Sequence, residues 1–249
     1  MLAEAPAESA NLEANSLQSP SSLSMPITPE QARRFYDRFG ARQDAQARYE
    51  DRALDAMVEL AELDRAAQIF ELGFGTGRLA RRLFEQHLRA DARYVGQDVS
   101  ATMHALARDR LAPWADRVSL RHTEGELELP DADASFDRFV STYVLDLMPE
   151  ADIRRALSEA HRVLAPGGLL CLVSLTHGER PLSRIVAGLW GRIAHLAPAS
   201  VGGCRPIDLR AFVGAPAWTI EAQRVVTAFA VPSQILVARR VEAQRSPEW

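Results

Sequence analysis

Three glycines at alternate positions, Gly73, Gly75 and Gly77, follow an acid, Glu71, at the end of a short apolar run. Glycine at this spacing lets a chain turn sharply and bring its backbone against a ligand. A helix beginning near Arg78 adds unpaired amide protons that suit an anionic group. A dinucleotide fingerprint needs its third glycine at position 78, where this chain has Arg78, so the loop does not fit a pyrophosphate binder. A nucleotide-cofactor oxidoreductase is therefore the weaker alternative, and a plain tight turn is the alternative without chemistry. Further acids close or follow later apolar runs: Asp98, the pair Glu124 and Glu126 around Gly125, and Asp146.

The elements that must position these residues alternate along the chain. Strand-like runs cover residues 67–72, 93–97, 117–121, 136–142 and 169–175, separated by helical patterns. That alternation predicts an α/β fold, a doubly wound and largely parallel sheet with helices on both faces. The clearest helix is predicted over 151–164, with Ile153, Ala156, Leu157, Ala160 and Leu164 on one face and Pro166-Gly167-Gly168 as its stop. Two last runs, 224–231 and 234–238, leave only Pro232 and Ser233 between them. So short a connector predicts a hairpin, with the last strand antiparallel to its neighbours.

Ahead of the first strand, Thr28 reads as an N-cap with Pro29 at the first helical position and Gln31 at the third, opening a helix to about Phe39. A second helix is predicted from Gln43 to about Leu63, on the spacing of Ala47, Leu54, Met57, Val58 and Ala61. The predicted organisation is a disordered tail at 1–27, cap helices at 28–64, a ligand-binding domain at 65–241 and a C-terminal tail at 242–249.

Glu71-Leu72-Gly73-Phe74-Gly75-Thr76-Gly77 resembles the first motif of class I S-adenosylmethionine-dependent methyltransferases. The resemblance continues through Gly96-Gln97-Asp98-Val99-Ser100, His122-Thr123-Glu124-Gly125-Glu126, the block from Phe136-Asp137 to Leu145, and Glu159 to Gly168. Within that superfamily the chain is most similar to the ubiquinone/menaquinone-biosynthesis type of small-molecule methyltransferase. The resemblance implies a Rossmann-like seven-stranded sheet in the order 3-2-1-4-5-7-6 and S-adenosyl-L-methionine as cofactor. It places Glu71, Gly73, Gly75, Gly77, Asp98, Glu124, Gly125 and Ser141 at the cofactor. Asp98 stands where the family's acid grips the ribose diol, a task for which a carboxylate can accept from both hydroxyls at once; its alternative is a cap for the helix starting at Ser100. Glu124 stands where the family's aspartate takes the adenine amino group, with Glu126 as competitor.

Methyl transfer from a sulfonium is an in-line displacement, so holding the acceptor close and aligned supplies most of the catalysis and no metal is required. Aromatic faces near the methyl stabilise the positive charge of the sulfonium, and Tyr36, Phe74 and Tyr143 are the candidates by position. If the acceptor must lose a proton, Asp146 and His177, on the carboxyl side of strands four and five, are the candidate bases. Between strand five and the hairpin, Ile185, Val186, Leu189, Trp190, Ile193 and Leu196 share one face of a predicted helix. That segment reads either as core or as part of a lid, about 181–206, over the acceptor. Arg205 follows the Gly202-Gly203 pair, where it would meet an anionic or carbonyl group. An apolar or amphipathic small-molecule acceptor fits this arrangement; the alternative beside the oxidoreductase is a non-catalytic protein that keeps the cofactor site.

Composition narrows the field further. The chain has 249 residues, 47% of them apolar, enough for one well-buried core. All 29 basic residues are arginine, which excludes Schiff-base lysine chemistry and a Gly-Lys-Ser phosphate loop. The formal charge of -4, with arginines interleaved among acids, argues against nucleic-acid binding. Two cysteines, Cys171 and Cys204, are too few for a disulfide framework and suit a reducing cytoplasm. No apolar run is long enough for a membrane span, and peripheral membrane contact through the 182–196 helix stays open.

Overall fold

The computed structural model describes residues 28–177 and 204–242. The expected tails, apart from Glu242, lie outside these residues, as do the expected lid helix and the Gly202-Gly203 pair. Seven strands form one sheet in the order β3-β2-β1-β4-β5-β7-β6. They are β1 (Gln68–Leu72), β2 (Arg93–Asp98), β3 (Val118–His122), β4 (Phe136–Thr142), β5 (Leu164–Leu175), β6 (Trp218–Ala228) and β7 (Val231–Arg240). Strands β1 to β5 pair in parallel, and β7 runs antiparallel to both β5 and β6. Order and direction both agree with the sequence reading.

The central strands are buried on both faces, which is why they read as continuous apolar runs. Ile69, Val140, Cys171, Val173 and Ile235 enter one core, shared with Leu54 and Met57 of α2 (Ala47–Leu60), Leu79 and Leu83 of α3 (Arg78–Gln86) and Ala107 of α4 (Ala101–Arg110). Their neighbours Phe70, Phe139, Leu170, Leu172 and Leu236 enter the opposite core, against Ile153, Leu157 and Ala160 of α5 (Glu150–Val163). Each such fully buried side chain contributes roughly 1.5–3 kcal/mol, so the two cores fix the strand register: a slip of one residue would exchange every pair.

α1 (Pro29–Phe39) has the predicted capping box, with Thr28 Oγ1 accepting from the Gln31 amide at 3.2 Å and the Gln31 side chain accepting from the Thr28 amide at 2.9 Å. The second helix departs from expectation. Residues Gly40–Gln46 form a 3-10 turn and α2 starts only at Ala47. Gly40 takes a left-handed φ of 52°, and the side chain of Asp44 is drawn to Thr76 and Arg110. At the other end α2 stops at Leu60, because buried Arg138 of β4 takes the carbonyls of Ala61 at 2.7 Å and Glu62 at 2.8 Å, and Glu62 turns left-handed at φ 47°.

The hairpin also needs correction. Its turn is Phe229-Ala230, with φ of 48° and 66°, the left-handed pair that a two-residue connection requires. Pro232 and Ser233 lie inside β7 opposite Thr227 and Val226. Proline is tolerated near a strand's beginning, and the Pro232 carbonyl still accepts from the Thr176 amide at 3.1 Å. Finally, β5 begins at Leu164, five residues earlier than read, and Gly167 at φ 75° carries the chain through an irregular register opposite β4.

Candidate functional site

The loop after β1 is built on glycine for steric reasons. Gly73 sits at φ 76°, and a Cβ there would stand 2.2 Å from Val144 Cγ2. Its amide donates to the Gln97 carbonyl at 2.7 Å, tying the loop to β2. Gly77, at φ 74°, is packed against α4, with Ala107 Cβ 3.0 Å from the position of its missing Cβ. Gly77 thus lets the start of α3 pack closely on α4.

A solvent-open cleft of about 900 Å³ lies at the carboxyl ends of β1, β2 and β4. Asp98, at the end of β2, forms part of its wall. One carboxylate oxygen accepts from the Gly75 amide and the other from the Ser100 amide, each at 2.9 Å. Burial raises the Asp98 carboxyl above the ordinary aspartate range, against the lowering effect of the Ser100 and Gly75 amides. The cap of α4 is not Asp98 but Ser100, whose hydroxyl accepts from the Met103 amide at 3.2 Å.

α1 forms the opposite wall through Thr28, Pro29, Ala32 and Tyr36. Three ties hold it there. Arg33 pairs with Glu124, Asp37 accepts from Ser100 Oγ at 2.6 Å and the Thr102 amide at 3.2 Å, and Pro29 Cβ stands 2.7 Å from where a side chain on Gly125 would begin. Gly125 can only be glycine in this packing, at φ 110°.

Of the residues singled out from sequence, the cleft brings together Tyr36, Gly73, Gly75, Asp98, Gly125 and Tyr143. Tyr143 has a left-handed φ of 56° and an OH 2.8 Å from Ser233 Oγ; burial raises its pKa. Glu126 joins them in the cleft wall, and the others stand elsewhere. Glu71 is buried behind the loop, where the Tyr94 hydroxyl donates to it at 2.6 Å and burial pushes its carboxyl up to about 7. Ser141 donates to the Leu72 carbonyl at 3.2 Å inside the sheet. Phe74 is buried against the Gly96 backbone. Glu124 is turned to Arg33, while Glu126 lines the cleft and accepts the Glu124 amide at 2.8 Å.

Asp146 is fully buried, accepting from the Leu175 amide at 3.1 Å, and burial pushes its carboxyl up to about 7. His177 is exposed and away from the cleft. Arg205 donates to the Met148 carbonyl at 2.7 Å, and its amide to the Asp146 carbonyl at 3.1 Å, so it braces the turn after β4.

Sequence reasoning did not find Gln43, Thr123, Leu147, Met148 and Asp152, all of which line the cleft. Two of them carry buried polar atoms without a hydrogen-bond partner, Gln43 Oε1 and Thr123 Oγ1. The charged side chains lining the cleft among the described residues are Asp98, Glu126 and Asp152, all acidic. No group of histidine, cysteine and acidic residues among the described residues has the geometry of a metal site.

A family model described as a methyltransferase domain matches residues 69–168. A malonyl-[acyl-carrier protein] O-methyltransferase of Geobacter sulfurreducens is 34% identical over 155 residues, 61% of this chain and 55% of the relative. A demethylmenaquinone methyltransferase of Thermus thermophilus is 36% identical over 130 residues, 52% of this chain and 54% of the relative. The chain thus spans about half the length of the curated relatives it matches. In fold it is similar to the N-methyltransferase NodS of Bradyrhizobium japonicum solved with S-adenosyl-L-homocysteine, with a TM-score of 0.57, 20% identity and coverage of 78% of this chain and 88% of that one. The glycine loop and the acid ending β2 both lie within that matched segment, so over residues 69–168 the chain is similar to methyltransferase domains, carried on a sheet of order 3-2-1-4-5-7-6.

Proposed function

We propose that this chain transfers the methyl group of S-adenosylmethionine to a small apolar or amphipathic acceptor held in the cleft. The observation that carries the reading is Asp98, fixed in the cleft wall by the Gly75 and Ser100 amides. Each of its oxygens keeps a lone pair for a ribose hydroxyl. The orphaned Thr123 Oγ1 and Gln43 Oε1 also favour a polar ligand, since buried groups of this kind are normally paired. The adenine contact falls to the loop 123–126, with Glu126 in the role first expected of Glu124.

The acceptor's place is beside Ala32, Tyr36, Leu147, Met148 and Pro149, a wall whose apolar character supports an apolar or amphipathic molecule. Tyr36 and Tyr143 would present ring faces toward the sulfonium. With neither His177 nor Asp146 lining the cleft, the proposed reaction rests on alignment without either of them as base. No helix among the described residues is long and apolar enough to cross a membrane. Cys171 and Cys204 form no disulfide, in keeping with the cytoplasm as location.

S-adenosylhomocysteine at about 100 times its dissociation constant should stabilise the fold by roughly 2.7 kcal/mol in a melting experiment, and NAD should not. A shift with NAD alone would overturn the reading. Release of S-adenosylhomocysteine across a panel of thiol, amine, phenol and carbon-acid acceptors then identifies the acceptor class.

A further inference from the structure

Gln43 lies in the 3-10 turn between α1 and α2, a segment without an obvious chemical motif. Its terminal amide reaches the glycine loop: a Cβ built on Gly75 would stand 3.4 Å from both Nε2 and Oε1. The residue lines the cleft, and Oε1 is buried without a hydrogen-bond partner. Such an acceptor is costly unless a donor arrives to meet it.

The turn is held in place by a three-way contact. Asp44 accepts from Thr76 Oγ1 at 2.7 Å and from the Arg110 guanidinium at 2.6 Å, and Arg110 also donates to Thr76 Oγ1 at 2.6 Å. Thr76 belongs to the glycine loop and Arg110 ends α4. The residue beside Gln43 therefore locks the turn onto the loop and leaves the amide facing the cleft.

A side-chain amide offers both a donor and an acceptor. The amino-acid end of S-adenosylmethionine carries an ammonium and a carboxylate, so it needs both. Among the described residues the cleft has no cationic side chain to meet that carboxylate. The other lining amide, Gln97, already donates to the Glu126 carbonyl at 2.7 Å, and Asp98 is suited to hydroxyls. Resting on the methyltransferase reading above, we propose that Gln43 binds the methionyl end of the cofactor, with Oε1 accepting from the ammonium and Nε2 donating to the carboxylate. Asp44, Thr76 and Arg110 are the positioning residues that present it.

The test is titration calorimetry on the full chain with two probes. S-adenosylhomocysteine has the amino-acid end, and 5′-methylthioadenosine keeps sugar and base without it. Gln43→Ala and the near-isosteric Gln43→Leu should each weaken S-adenosylhomocysteine about tenfold, while changing 5′-methylthioadenosine less than about twofold. Asp44→Asn should shift the two probes in the same unequal way. The ligand-free melting temperature, followed in parallel, should stay near wild type for the Gln43 variants. Equal losses for both probes, or no loss for either, would overturn the assignment. Wild-type protein that binds neither probe would overturn the methyltransferase reading itself, whereas wild-type binding with unaffected Gln43 variants removes only this inference.

Discussion

The Asp98 carboxylate accepts the Gly75 amide at 2.9 Å, which joins the loop after β1 to the end of β2 across the cleft wall. One side chain thereby shapes the site and faces the ligand. Asp98→Ala should lower the stability of the ligand-free protein by about 1–3 kcal/mol, because the Gly75 and Ser100 amides lose their acceptor. It should also weaken S-adenosylhomocysteine by about 1.5–3 kcal/mol. Urea unfolding and calorimetry measure the two separately, and unchanged affinity would confine Asp98 to structure.

Gly73→Ala meets two obstacles, the left-handed φ of 76° and Val144 Cγ2 at 2.2 Å from the new Cβ. The backbone conformation costs about 1 kcal/mol and overpacking about 1–3 kcal/mol more. In the double variant with Val144→Ala the overpacking part should return and the backbone part should remain. Full recovery would show that backbone conformation plays no part at this position.

Glu71 is raised by burial from the ordinary 4.5 to about 7. Between these values the unfolded chain gives up its proton and the folded chain keeps it, so stability should fall as pH rises from 4.5 to about 7 and level off above. Asp146, raised from 3.8 to about 7, contributes with the same sign. Glu71→Gln should therefore flatten part of the slope and stabilise the protein at pH 8 by up to about 3 kcal/mol. An unaltered slope in the variant would show that Glu71 does not carry this linkage.

Asp146 holds both the end of β5 and the chain at Arg205, through its side chain to the Leu175 amide and its carbonyl to the Arg205 amide. Asp146→Ala should destabilise the protein by about 1–3 kcal/mol while leaving 5′-methylthioadenosine affinity near wild type. If stability holds and acceptor turnover falls instead, Asp146 belongs to the chemistry.

Much of the fold was legible because it is encoded over short distances. Thr28, Pro29 and Gln31 specify a helix start within four residues, and the alternation of Ile69 with Phe70 or Val140 with Phe139 specifies strands buried on two faces. The turn residues misled where the usual breaker was absent: Phe229 and Ala230 adopt the left-handed pair that glycine or asparagine normally advertises, while Pro232 sits within β7. The end of the second helix was equally hidden, since it depends on Arg138, 77 residues from Ala61 in the chain.

By itself the sequence determined the sheet order through family resemblance and the glycine loop with Asp98 at adjacent strand ends, because neighbouring parallel strands must finish on the same side. Only the tertiary structure decided which acid of the third loop enters the cleft. Arg33, 91 residues from Glu124, draws that side chain to α1 and leaves Glu126 on the wall. It likewise decided that α1 closes the site and that Gln43 meets Gly75, through the Asp44 contact with Thr76 and Arg110. These contacts join polar residues distant in sequence, on segments whose local pattern would be the same with or without a ligand between them. Their meeting is set by how the helices pack on the sheet.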